Sequence, residues 1–185
     1  PVVRASTIIF KSMQHIRKTQ KKYKIDPTGG YFDYGRQGTS TTHILEKMLT
    51  KMEESYHVFL TPTGFGSVFL AIFSVVRPGD EILVADPVYH PTRILTGDFL
   101  KDFKIKAIFY DPHNLETLKK KITKKTKMIF VENPGSNSFE FQDLSKIISI
   151  AKKNKIFSAI DNTWGTPYFL KPMKLGFDMS IVSAT

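Results

Sequence analysis

The 185-residue chain has no cysteine. That removes disulfides, thiolate nucleophiles, iron–sulfur clusters and cysteine-based zinc sites from these residues. Histidines are few and scattered: His15, His43, His57, His90 and His113. No two of them fall at the close spacing that puts a pair of ligands on one helical face, so no metal site is expected. Long apolar runs are missing as well. The longest nearly apolar stretch, 68–76, falls far short of a bilayer span. The opening residues, PVVRASTIIF, lack the charged-then-apolar order of a secretion signal. The expectation is a soluble, cytoplasmic protein with no membrane partner.

Arginine is scarce, with five residues, although the chain holds 27 basic and 17 acidic residues and a net charge of +10. The surplus is lysine, in KTQKKYK (18–24), LKKKITKKTK (118–127) and AKKNK (151–155). Arginine is the better reader of phosphates and bases, and no nucleic-acid-binding motif is present. The lysines read as solvated faces, and no nucleic-acid partner is expected. A basic, non-catalytic binding protein stands as the alternative from a different functional class. The hydrophobic share of 41% is too high for a disordered chain.

What the chain does contain is a change of pattern near residue 40. Residues 1–39 are polar and interrupted by the glycine- and aromatic-rich DPTGGYFDYGRQGT (26–39), with a short helix expected over 12–19. They read as an arm that lies across something else, such as a neighbouring subunit. From residue 40 the pattern is regular. Ile44, Leu45, Met48, Leu49 and Met52 share one helical face. Then come an expected strand over 57–62, a buried helix over 64–76, and strands over 81–86, 105–111, 127–133, 155–161 and 179–185. Helices near 91–102, 114–124 and 143–154 separate them. Most of the strands are apolar runs without polar alternation, as in strands buried on both faces, and they alternate with helices. The implied fold class is α/β, a mostly parallel sheet with helices on both faces.

Ligands of such sheets bind at the carboxyl ends of the strands. The first expected strand hands over Thr63, Gly64, Phe65 and Gly66, which open a helix. The others hand over Tyr89 and His90; Asn133, Gly135 and Ser136; Asp161, Thr163 and Trp164; and Ser183 and Thr185. The TGFGS turn can present free amides to a phosphate, although glycines also serve plain turn geometry. Asp161, following an apolar strand, could pair with a pyridinium nitrogen or simply cap a turn. Tyr89 could stack on a flat ring or merely pack. Ser183 and Thr185 could donate to a phosphate or end an ordinary strand.

The order of these segments, YGRQGTST, TPTGFGSV, DPVYHPT, VENPGSN, AIDNTWGTP and SIVSAT, closely resembles the Cys/Met-metabolism group of pyridoxal-phosphate enzymes over the whole chain. The resemblance implies the aspartate-aminotransferase type of fold, fold type I, with residues 40–185 as the N-terminal part of a cofactor-binding large domain. It implies that the Gly64 and Phe65 amides and the Ser183 and Thr185 hydroxyls hold the phosphate of pyridoxal 5′-phosphate. Tyr89 would stack on the ring and assist at the leaving sulfur, and Asp161 would keep the ring nitrogen protonated. Trp164 and Asn133 or Ser136 would line the pocket. Tyr34 and Arg36 would reach the phosphate in a neighbouring subunit, making a dimer the minimal catalytic unit and a dimer of dimers the expected assembly.

VENPGSN and DNTW look most like the β-lyase branch of the group, which cleaves L-cystathionine to homocysteine, pyruvate and ammonia. The γ-synthase and γ-lyase branches, which carry an asparagine–proline pair after the first motif, are the alternative. One departure matters. In the group the lysine that binds the cofactor follows the SAT motif directly, and here Thr185 is the last residue. Lys171 and Lys174 precede the motif and do not match it. Together with the absence of an initial methionine, this gives the expectation of a segment of a longer protein, with that lysine and the arginine for the substrate carboxylate lying outside it.

Overall fold

The computed structural model describes residues 2–185 and separates into two compact units, Pro1–Leu60 and Thr61–Thr185. In the first unit, α1 (Met13–Ile25) starts where the Ser12 hydroxyl accepts the His15 amide at 3.2 Å, an N-cap worth about 1 kcal/mol. It continues well past residue 19, where the sequence pattern fades. Helix α2 (Ser40–Glu53) opens on Thr39, whose amide donates to the Thr42 hydroxyl at 2.9 Å. Neither helix builds a core. Helix α1 buries nothing, α2 buries Glu53 alone, and Ile44, Leu45, Met48 and Met52 stand exposed.

The strand expected over 57–62 is not formed. The segment carries no regular secondary structure and pairs with no strand, and Phe59 is 70% exposed. A run of that length reads as strand only if a neighbour supplies a ladder, which residue pattern alone does not establish.

The second unit carries a five-stranded sheet in the order β2-β1-β3-β4-β5, parallel throughout. The strands are β1 (Glu81–Ala85), β2 (Lys106–Tyr110), β3 (Thr126–Glu132), β4 (Phe157–Asp161) and β5 (Met179–Ile181). Ile82, Leu83, Val84 and Met128 to Val131 are fully buried. Unbroken apolar runs belong in central parallel strands for that reason. Each fully buried aliphatic side chain contributes about 1.5–3 kcal/mol.

Helix α3 (Gly64–Val75) precedes β1 and lies against β3, β4 and β5. It buries Val68 and Ile72, while Phe65, Phe69 and Leu70 remain exposed, so only one side of the expected buried helix is covered. Between β1 and β2 runs one helical rod in three pieces: α4 (His90–Ile94), a π-helical turn (Leu95–Phe99) and α5 (Leu100–Asp102). Within it the buried Thr96 hydroxyl donates to the Thr92 carbonyl at 2.9 Å, back-bonding that competes with regular helix geometry. Helix α6 (Leu115–Lys121) joins β2 to β3, and α7 (Leu144–Asn154) joins β3 to β4. Asp143 caps α7 by accepting the Lys146 amide at 3.0 Å. Two short helices, α8 (Thr166–Phe169) and α9 (Pro172–Leu175), precede β5. With right-handed crossovers, the rod after β1 lies on one face of the sheet and α6 and α7 on the other.

Candidate cofactor site

From β1 the chain moves to β2 on one side, then returns past β1 to β3, β4 and β5 on the other. The crevice outside the carboxyl ends of β1 and β3 is thus a topological switch point, where open α/β sheets bind ligands. Most of the second-unit residues singled out in the sequence fall at this edge of the sheet or in the loops leaving it.

The first turn of α3 reaches the same edge. A Cβ built on Gly64 would lie 2.5 Å from both Cβ and Oγ of Ser183, so glycine is required for the helix start to approach the chain after β5 this closely. Thr63 caps the helix, its hydroxyl accepting the Gly66 amide at 2.9 Å and its carbonyl the Ser67 amide at 3.2 Å. The amides of Gly64 and Phe65 belong to the first turn, which has no intrahelical partners to offer them. Ser183 Oγ and Thr185 Oγ1 lie 2.7 Å apart. Two first-turn amides at the positive end of a helix beside paired hydroxyls make an anion cradle.

Asp161 closes β4 and is nearly buried, at 8% exposed. Its Oδ1 accepts the Thr163 amide at 3.0 Å, and no salt bridge among the described residues includes it. Burial pushes its pKa up, opposed by the Thr163 hydrogen bonds. A carboxylate withdrawn from water, with hydrogen bonds from Thr163 and no ion-pair partner among the described residues, is electrostatically suited to a cationic N–H. The Thr163 hydroxyl in turn accepts the Ser183 amide at 2.9 Å. One residue therefore ties the carboxylate end of the site to the hydroxyl end, a role that sequence reasoning missed.

It missed Glu132 too. Glu132 ends β3, pairs in register with Asp161, and is 4% exposed. Its Oε2 accepts the Tyr89 amide at 2.6 Å. Burial, reinforced by the negative charge of Asp161 and opposed by the Tyr89 amide, raises its pKa to about 7. An acidic residue closing an otherwise apolar strand was the available signal, since buried carboxylates are rare. Tyr89 itself sits just beyond β1 as the N-cap residue of α4, with its side chain exposed.

The loop after β3 begins with a cis Asn133–Pro134 bond. The Asn133 side chain is committed to structure, its Oδ1 accepting the Gln142 amide at 2.7 Å. Ser136 donates its amide to the Pro87 carbonyl at 2.7 Å. Trp164 stands half-exposed in the loop after β4, edge-on to Phe139 at 5.0 Å. In the first unit, Tyr34 and Arg36 come together, with the guanidinium 5.4 Å from the tyrosine ring. The turn between them is fixed by the Gly35 amide donating to the Ser6 carbonyl at 2.7 Å. Among the described residues no helix is long and apolar enough to cross a membrane. Nor do three or more His, Asp or Glu side chains gather where they could hold a metal ion.

The donor set suits pyridoxal phosphate in kind: an anion cradle for its phosphate, a nearly buried carboxylate for its ring nitrogen, and an exposed tyrosine between them in chain order. Comparison with known proteins agrees. A cystathionine β-lyase of Bordetella avium is 32% identical over 186 residues, covering all of this chain and 46% of that protein. An L-methionine γ-lyase of Fusobacterium nucleatum is 30% identical over 186 residues, again covering all of this chain and 46% of its relative. The chain thus spans about half the length of these relatives. Among solved structures, a Campylobacter jejuni protein described as an O-acetylhomoserine (thiol)-lyase, with a pyridoxyl-phosphate lysine, superposes with a TM-score of 0.87 at 28% identity. That match covers 98% of this chain and 44% of the other. A family model matches residues 1–185, and the chain belongs to the Cys/Met metabolism PLP-dependent enzymes.

Proposed function

We propose that the longer protein to which these residues correspond is a pyridoxal-phosphate-dependent carbon–sulfur lyase. Its reaction is β-elimination: L-cystathionine and water give homocysteine, pyruvate and ammonia. The observation that carries this reading is the join of the Gly64 helix start, Ser183 and Asp161 through Thr163 at the sheet's carboxyl edge. When bound, the cofactor supplies an electron sink for the bond-breaking chemistry. The chain's own residues hold and polarise it. The amides of Gly64 and Phe65 and the hydroxyls of Ser183 and Thr185 bind the phosphate, and Asp161 keeps a proton on the ring nitrogen. Tyr89 covers the ring and stands near the departing sulfur. Tyr34 and Arg36 of a second copy complete the phosphate site, which makes the working assembly at least a dimer and, with paired dimers, a tetramer.

The β-branch rests on the VENPGSN and DNTW segments. The γ-elimination reading is favoured by the similarity to an L-methionine γ-lyase. Product identity separates the two, because β-elimination of cystathionine releases pyruvate and γ-elimination releases 2-oxobutyrate. The role of Asp161 is tested by Asp161→Ala in the full-length protein. Losing the charge opposite the ring nitrogen should lower turnover by about a hundredfold or more, on the scale of electrostatic groups at reacting centres. Turnover equal to the parent's would remove Asp161 from the site and with it the orientation of the cofactor given above.

A further inference from the structure

Nothing in the reaction as described uses Glu132. It is buried at 4% exposed, and no salt bridge among the described residues includes it. Asp161, its register partner on β4, is of the same sign. Asp86, just past the end of β1, is already engaged by Arg93 at 2.9 Å. His90 follows Tyr89 on the neighbouring turn. A carboxyl group in such a place costs desolvation unless a hydrogen bond offsets it. The bond it makes is specific, running 43 residues back along the chain to the Tyr89 amide at 2.6 Å.

The surroundings make that bond a rigid clamp. The Gln142 side-chain amide donates to the Glu132 carbonyl at 2.9 Å, and Gln142 Oε1 accepts the hydroxyl of the buried Tyr110 at 2.9 Å. The Gln142 backbone amide is held by Asn133 Oδ1 at 2.7 Å. Beside the clamp, Ser136 donates its amide to the Pro87 carbonyl, and a Cβ on Gly135 would lie 2.8 Å from the Pro87 ring. The turn over 86–89 is therefore fastened to the end of β3 from two sides, and Glu132 is the one side chain among these contacts that reaches Tyr89 itself.

We propose that Glu132 is a positioning residue for the cofactor: by accepting the Tyr89 amide it fixes the turn that presents the Tyr89 ring, and so sets the stacking surface over the pyridine. This rests on the reading of Tyr89 as the residue that covers the ring. Burial keeps the group protonated over part of the neutral range, so the clamp also stands beside Asp161 without imposing a second full negative charge there.

The test uses the full-length protein and measures its dissociation constant for pyridoxal phosphate by absorbance titration, independently of turnover. Glu132→Met keeps the volume and removes the acceptor, and affinity should fall by about tenfold, the worth of one well-placed hydrogen bond. Glu132→Gln keeps an acceptor oxygen and should restore affinity to within about threefold of the parent, since its carbonyl still meets the amide. A double-mutant cycle with Tyr89→Ala gives the decisive readout. If Glu132 acts through Tyr89, the Met substitution costs little further affinity once the ring is gone. Parent-like affinity in Glu132→Met, or full additivity with Tyr89→Ala, overturns the assignment while leaving the cofactor reading intact. A parent protein that binds no pyridoxal phosphate overturns both.

Discussion

Helices α2 and α7 are of similar length, and both carry apolar residues at helical spacing, yet they treat those residues in opposite ways. Helix α7 buries Leu144, Ile147, Ile148, Ile150 and Ala151. Helix α2 leaves Ile44, Leu45, Met48 and Met52 between 45% and 58% exposed. The difference lies in what each unit offers. The second unit supplies a parallel sheet whose central strands are largely apolar and buried, and the entire buried apolar core of the described residues lies there. The first unit has no sheet and no buried apolar side chain among its described residues. An amphipathic pattern thus defines a face and leaves its partner to the tertiary structure.

If that contrast governs stability, truncations in the sheet must cost far more than truncations in the first unit. Phe130, in the middle of β3, is completely buried. Phe130→Ala should lower unfolding free energy by about 3–5 kcal/mol, the usual cost of emptying an aromatic site. Denaturant midpoints of parent and variant check this, and a loss below about 1 kcal/mol would mean that the sheet does not dominate folding.

The second test concerns the buried carboxyls of the sheet edge, Glu132 and Asp161. Glu132 holds its proton more tightly when folded, with a pKa of about 7 against 4.5. A group whose folded pKa is raised favours the folded state fully below the unfolded pKa. That contribution fades as pH rises through the folded pKa. At about 1.4 kcal/mol per pH step between the two values, the loss is roughly 3 kcal/mol by pH 8. Glu132→Gln cannot ionise, so its stability should fall less than the parent's between pH 5 and pH 8, a difference visible in unfolding midpoints at the two pH values. Parallel pH profiles would show that Glu132 is ionised in the folded protein throughout.

The same contrast explains what could be read in advance. Strands β1, β3 and β4 were legible because burial on both faces leaves a local trace, a mostly apolar run; β2 shows a similar run although only Tyr110 of it is buried. Asp161 was legible as a carboxylate at the end of one such run, and Glu132, which ends another, yields to the same logic. Contacts that depend on distant partners left no such trace. The stretch 57–62 has the composition of a strand but finds no ladder. Thr163 gains its place only because the chain after β5 returns to it. The π-helical turn over Leu95–Phe99 interrupts a helix whose residue pattern is otherwise ordinary. The close approach that requires Gly64 depends on Ser183, more than a hundred residues away. Residues of the YGR motif were picked out as a pair, and Tyr34 and Arg36 do meet, through a turn packed on Ser6.

The smallest expected effect gives the sharpest check on the comparison, because it is the one that a covered surface would change. Met48 is 58% exposed on α2, whereas Ile147 is fully buried on α7. Ile147→Ala should cost about 2–5 kcal/mol. Met48→Ala removes a side chain that is already largely in water and replaces it with the best helix former, so its cost should stay within about 0.5 kcal/mol. Both variants belong in the full-length protein, unfolded in parallel at several protein concentrations. A Met48→Ala cost near that of Ile147→Ala would mean that the α2 stripe is covered in solution. A cost that also grows with protein concentration would identify the cover as a second copy of the chain, since association stabilises only what it buries.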